Sequence, residues 1–210
     1  MSNYGQLDNG IFASSVAKTT PYQQPGGPCM DLSTTVPREE STSPGLNGTE
    51  SLLLYKLDQV RISNPGSHDE IDILARLSRF YIGNEQLSKS IDCLGVAIVC
   101  AEKLYGKRHP VVAELLVESA FVAFKVEDYD SALEFLTPAV EIYEEAYGKV
   151  SDQVAFAFHK LGRVYEAVNE IEKAESYYQR AETTYQNTFN EDDSEIYIVR
   201  NDLARIRATR

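Results

Sequence analysis

The chain has 210 residues, 43% of them hydrophobic, enough to bury a sizeable core in one or two domains. Asp and Glu outnumber Lys and Arg by 32 to 20, and the resulting net charge of -12 repels nucleic-acid phosphates and anionic headgroups, so neither is an expected partner. The N-terminus has no basic patch leading into an apolar core and no run of about 18 apolar residues occurs, so the sequence reads as cytoplasmic, with no secretion signal and no membrane insertion.

The first segment, residues 1–48, carries five of the eight prolines (Pro21, Pro25, Pro28, Pro37 and Pro44) among many Ser, Thr, Gly and Asn. No apolar period survives there, and the composition predicts a disordered tail. Its charges, Lys18 and Arg38 against Asp8, Asp31, Glu39 and Glu40, sum to -2, so the negative charge belongs mainly to residues 49–210. Thr20-Pro21 and Ser43-Pro44 are dipeptides that proline-directed phosphorylation could use. Asn47-Gly48-Thr49 matches a glycosylation sequon, which has no meaning in a chain that is not secreted.

From residue 49 apolar residues recur at intervals of three and four, with almost no internal Pro, and the rest of the chain reads as helix. A first helix is predicted over 49–62. Tyr105-Gly106-Lys107 then recurs as Tyr147-Gly148-Lys149, a shift of 42 residues, and ten positions of 105–146 are identical to their counterparts in 147–188. Chance would give roughly two or three, so the shift is an internal repeat. Three helical hairpins are predicted, over about 67–104, 109–146 and 151–188, and 194–208 repeats the start of a fourth as a capping helix. Gly83-Asn84, Asp128 and Asn169 supply turns within the hairpins, while His109-Pro110, Ser151-Asp152 and Asp193-Ser194 suit the N-cap and N1 positions of the next first helix.

Each second helix carries small residues at the same two places, Ser90 and Ala97, Ala132 and Ala139, Ala174 and Ala181, which would let neighbouring helix backbones approach closely. Pro138 falls inside the second helix of the middle hairpin, where it removes a backbone donor and predicts a kink. Cys93 and Cys100 lie seven apart on one helical face and read as reduced core residues rather than a redox or metal pair.

Phe158-x-x-Leu161-Gly162-x-x-Tyr165, followed by Ala174-x-x-x-Tyr178 and Ala181, resembles the tetratricopeptide signature with Phe in place of its Trp. Leu74, Leu77, Ser78, Tyr81, Leu94 and Ala97 give a weaker version in the first unit, and Leu116, Ala120, Ala123, Leu136 and Ala139 in the second. With a period of 42 rather than 34, the array over 67–208 is most similar to the long repeats of kinesin light chain and its relatives. The resemblance implies an all-α fold, a right-handed α-solenoid of antiparallel helical hairpins, working as a protein-protein adaptor or scaffold. No sustained heptad pattern accompanies it, so recruitment of a motor chain is not carried over.

In that family the first helix of each pair lines a concave groove that receives peptides. Carried across by column, the groove would present Arg79, Arg163 and Arg205 with Phe121 in the same column, His159 and Asn201 beside Ala75 and Val117, and Phe124 and Phe156 nearby. Guanidinium groups pair bidentately with carboxylates, so the expected ligand is an extended peptide with acidic residues flanking one large apolar anchor. The Arg residues could instead pair with carboxylates of adjacent helices, and some of the Phe could be core. The column Ala75, Val117, His159 and Asn201 lacks the Lys and Asn of the carboxylate clamp found in chaperone-binding members.

Enzymatic chemistry finds no support. His68, His109 and His159 have no nucleophile or metal partner by spacing, no phosphate-cradling glycine loop occurs, and Glu144-Glu145 and Asp192-Asp193 read as solvated turns and helix ends. No catalytic residue, metal or cofactor is expected. The expected partners are other proteins, through short peptide motifs. The alternatives are a non-catalytic subunit of an enzyme and a homo-oligomer, the latter built through the end helices or an outward Tyr143, Tyr177 and Tyr185 surface.

Overall fold

The computed structural model describes residues 47–188 and 194–208. Among them are eight helices and no strand: α1 (Asn47–Ser63), α2 (His68–Gly83), α3 (Leu87–Tyr105), α4 (Pro110–Lys125), α5 (Tyr129–Tyr147), α6 (Asp152–Ala167), α7 (Ile171–Thr188) and α8 (Ser194–Ala208). Of the segment read as disordered, residues 1–46 lie outside those described, as does Asp193, while Asn47 and Gly48 open α1. The first N–H groups of a helix need no intrahelical partner, so its start is weakly marked in sequence. The chain divides into two compact units, one up to Cys100 and the other from Ala101, with the boundary inside α3.

The 42-residue register is written into the backbone. Ser67, His109 and Ser151 are the N-caps of α2, α4 and α6, each accepting from a backbone N–H one turn or less ahead. Each of these first helices ends on a residue in the left-handed region, Glu85, Glu127 and Asn169 at φ 58°, 60° and 61°. The next N–H then closes back five residues, Gln86 to the Tyr81 carbonyl at 2.9 Å, Asp128 to Ala123 at 2.9 Å and Glu170 to Tyr165 at 2.8 Å. This is the Schellman closure, here made three times and twice with a Glu where Gly is usual. The second helices α3 and α5 end at Gly106 and Gly148, at φ 91° and 84°, values that favour glycine.

In the first unit α1 packs on α2. The Ser78 and Ser90 hydroxyls share a buried 2.8 Å hydrogen bond across α2 and α3. Glu70, also buried, accepts from Arg61 Nε at 2.8 Å and from the Gly66 N–H at 2.6 Å, which ties α1 to the start of α2. Tyr81 donates to Glu50 at 3.0 Å, and Lys89 pairs with the same carboxylate at 3.5 Å. Cys93 is buried and free, and burial, with the Asp92 carboxylate beside it, pushes its thiol up to about 12, which suits an inert core residue.

In the second unit α4 pairs with α5 and α6 with α7, while α5 against α6 and α7 against α8 join successive elements. Ala132, Ala139, Ala174 and Ala181 are completely buried, as are Ser90 and Ala97 in the first unit. Small side chains at these crossings let the helices approach and bring Tyr178 flat against Gly162. α5 runs unbroken through Pro138. The carbonyl that loses its donor there belongs to Glu134, an exposed residue whose backbone water can reach.

The outward tyrosine surface is corrected. Tyr143 and Tyr185, which share one column of the second helices, are buried because that column faces the core, and Tyr177, in another column, is half-buried. Tyr177 instead stacks on Tyr165 at 5.3 Å between ring centroids, with Arg180 3.9 Å from the Phe158 ring.

A Cβ on Gly162 would lie 2.6 Å from carbons of the Tyr178 ring, whose hydroxyl is anchored to Glu166 at 2.7 Å. Gly162→Ala is therefore expected to lower stability by about 1–3 kcal/mol, although Ala is the better helix former by about 1 kcal/mol. Denaturant unfolding of the two proteins measures the sign, and a more stable variant would mean the ring yields freely.

Candidate functional site

The exposed face of the first helices in the second unit is built by α4 and α6. Phe121 and Phe124 stand one turn apart on α4, and on α6 the residues Phe156, Lys160, Arg163 and Val164 are set at helical spacing. Together with Val117 and Ala120 of α4 and Leu136 of α5, the residues Phe121, Phe124, Lys160, Arg163 and Val164 line a shallow open depression with an apolar floor. The cations stand on aromatic rings: the Arg163 guanidinium lies 5.2 Å from the Phe124 centroid, Lys160 Nζ 4.5 Å from Phe156 and Lys125 Nζ 5.8 Å from Phe121.

Among the described residues neither Lys160 nor Arg163 makes an ion pair with a carboxylate. Burial and the neighbouring Arg163 charge hold the Lys160 amine below the usual lysine range, and the Asp202 carboxylate offsets this only in part. Two like charges thus stand beside phenyl rings, with the Asp202 carboxylate acting on Lys160 from α8. An anionic group placed there would relieve their repulsion.

The other candidates are placed differently. Arg79 is exposed on α2, in the first unit. Asn201 is exposed on α8, and Phe156 is 41% exposed. Arg205 is committed to structure: its guanidinium bonds both oxygens of Glu166 and, at 2.7 Å, Asp202 Oδ1. His159 is corrected from a groove residue to a packed one. It is 8% exposed, 5.6 Å from the Tyr178 ring, and its Nε2–H donates to Asp202 Oδ2 at 2.8 Å. Burial outweighs that hydrogen bond and holds the imidazole below its usual range, so the neutral ring is the one that fits. Burial pushes Asp202 upward, but the hydrogen bonds from His159 and Arg205 outweigh it and hold the carboxyl below the usual range.

Tyr178, Glu166, Arg205, Asp202 and His159 thus form one polar chain that fastens α8 across α6 and α7. Glu166 and Asp202 are the residues that column reasoning did not connect to Arg205. Lys160 was also missed, because its column holds Arg76, Glu118 and Asp202 and shows no shared chemistry.

No group of three or more His, Cys, Asp or Glu side chains among the described residues could hold a metal ion. None of the described helices is long and apolar enough to cross a membrane.

These features define an all-α helical-repeat protein. Residues 111–187 match the tetratricopeptide repeat family. Over that stretch the chain is similar to tetratricopeptide repeats, and its fold is that of solved helical-repeat proteins. BtubC from P. vanneervenii superposes with a TM-score of 0.67 at 16% identity, over 78% of this chain and 74% of that one. A Podosopora anserina protein of kinesin light chain type with nearly identical TPR-like repeats superposes with a TM-score of 0.65 at 17% identity, over 78% of each chain. At these identities the likeness is one of fold.

In sequence the chain is similar to clustered mitochondria protein homologs. It is 31% identical to that of Danio rerio over 146 residues, 70% of this chain and 10% of the relative. It is 32% identical to that of Xenopus tropicalis over 55% of this chain and 9% of the relative, and 26% identical to that of Candida albicans over 61% and 9%. The chain spans about a tenth of the length of these relatives.

The buried neutral His159 predicts a pH dependence. Its folded-state value lies below that of the unfolded chain, so the unfolded state binds the extra proton, and stability is full above the unfolded value and lost as pH falls. Between about pH 7.5 and 5.5 the melting temperature should fall, and His159→Gln should flatten that slope. A slope equally steep in the variant would place the proton uptake elsewhere.

Proposed function

We propose that the α4 and α6 face is a peptide-binding surface for an extended partner segment carrying acidic residues beside one large apolar side chain. The observation that carries this reading is the pairing of Lys160 and Arg163, without carboxylate partners among the described residues, beside Phe121 and Phe124 over an apolar floor. The anchor would fill the depression against the two phenyl rings and Val117. The flanking carboxylates would bind the two cations, Arg163 through its planar fork and Lys160 as a point charge. Preformed helices lose little freedom on binding, so a few contacts can give useful affinity. The resulting function is that of an adaptor or scaffold with no chemistry of its own.

Phe121, Phe124 and Arg163 keep their expected places in this reading, Lys160 joins them, and His159 and Arg205 leave it. The coupling is electrostatic at the rim and apolar at the centre, so binding should weaken with salt without vanishing.

Fluorescence anisotropy with labelled peptides holding one Trp or Leu between Glu and Asp residues, against the same peptides with Lys and Arg, tests this directly. The acidic set should bind the wild type and the basic set should not. Lys160→Glu with Arg163→Glu should weaken the acidic set by at least about tenfold, and Phe124→Ala should do so for the apolar anchor, with circular dichroism unchanged. Equal binding of both peptide sets, or full retention by the charge-reversed variant, would contradict the proposal.

A further inference from the structure

Among the described lysines only Lys89 and Lys160 are half-buried, and the others are exposed. Lys89 pairs with Glu50 at 3.5 Å. Lys160 makes no ion pair with a carboxylate among the described residues. Its Nζ lies 4.5 Å from the centroid of the Phe156 ring, and it shares the lining of the depression with Phe121, Phe124, Arg163 and Val164. The charged groups that act on this amine are Arg163, one turn further along α6, and Asp202 of α8. Asp202 is already engaged by His159 at 2.8 Å and by Arg205 at 2.7 Å. The Arg163 guanidinium, 5.2 Å from the Phe124 centroid, has no carboxylate partner among the described residues. Burial and the Arg163 charge both favour the amine that has lost its proton, which is the nucleophilic form.

We propose that Lys160 is a carbon dioxide site, whose amine takes up CO2 as a carbamate held by the Arg163 guanidinium. The lone pair of the neutral Nζ attacks the carbon of CO2, an N–C bond forms, and one C–O π pair moves onto oxygen. A proton then leaves Nζ for water, so a neutral amine and CO2 become a carbamate anion and one released proton. From the ammonium form two protons are released. The step needs no oxidant or reductant. Part burial beside a like charge frees the lone pair, and the planar fork of Arg163 fits the carboxylate that the reaction creates. A repelling Lys–Arg pair thereby becomes an attracting carbamate–Arg pair. Asp202 acts against the new anion, but its charge is already met by Arg205, whereas that of Arg163 is met by no carboxylate among the described residues. The consequence for binding rests on the reading of this face as a site for acidic peptides. The carbamate reverses the charge at Lys160 and engages Arg163, so dissolved CO2 weakens the peptide. The modification itself does not depend on that reading.

Chemical trapping on the full chain tests this. In bicarbonate buffer near neutral pH, equilibrated with CO2, triethyloxonium ion converts carbamates into stable ethyl esters, which mass spectrometry of the digested chain assigns to individual lysines. Lys160 should be esterified at least about threefold more than the exposed Lys107 and Lys149, and Arg163→Gln should lower the Lys160 yield with circular dichroism unchanged. Esterification of Lys160 no greater than that of the exposed lysines, or a yield unchanged in Arg163→Gln, would overturn the proposal. Acidic peptides should bind at least about twofold more weakly with CO2 than without it at equal pH and ionic strength, and Lys160→Arg should remove that difference. A Lys160 adduct in a chain that binds no acidic peptide would uphold the carbamate and fail only the binding reading. Acidic-peptide binding without the adduct would uphold the binding reading and fail the carbamate.

Discussion

The close approach of helices at their crossings is the constraint on which the rest of this protein depends. Ser90 and Ala97, Ala132 and Ala139, Ala174 and Ala181 leave no room for solvent, and all six are completely buried. With no long side chain between the backbones, a large residue on the facing helix can be brought into contact with a small one, as Tyr178 is with Gly162. Once the crossing is fixed, so is the rotation of each helix about its axis. That rotation decides which columns of the first helix turn inward and which stay open.

The division of the cations is a consequence. On α6 the turn that carries His159 and Gly162 faces α7 and is buried, while Lys160 and Arg163, each one residue further on, swing out beside the phenyl rings of α4. Arg205 on α8 has the same column as Arg163 but a different neighbour: Glu166 of α6 and Asp202 of its own helix lie within reach, and it is spent on them. The polar chain from Tyr178 to His159 then serves to seat α8, while among the described residues Lys160 and Arg163 make no ion pair with a carboxylate. Equivalent positions in a repeat thus share geometry without sharing a role.

That distinction also marks how much could be read from the sequence. N-caps at Ser67, His109 and Ser151, turns around Asn84, Asp128 and Asn169, and the small columns all depend on local chemistry repeated every 42 residues, and local chemistry is visible in one dimension. The left-handed Glu85 and Glu127 were not, because Glu has no turn preference and is placed there by the hairpin closing around it. The burial of Tyr143 and Tyr185 was hidden by the amphipathic nature of the residue, which suits either surface or core. For the candidate site, Phe121, Phe124 and Arg163 were legible as columns of the first helices. The capture of His159 and Arg205 by Asp202 and Glu166, 43 and 39 residues away in sequence, was not, since a register gives position and says nothing of partner.

The central claim is that, of two arginines in equivalent repeat positions, Arg163 serves binding and Arg205 serves the fold. Measuring both thermal stability and affinity for an acidic, aromatic-containing peptide in Arg163→Gln and Arg205→Gln tests it most directly. The account predicts that Arg163→Gln loses affinity and keeps its melting temperature, while Arg205→Gln loses melting temperature and keeps its affinity. The reverse assignment, or equal effects of the two substitutions on both quantities, would contradict it.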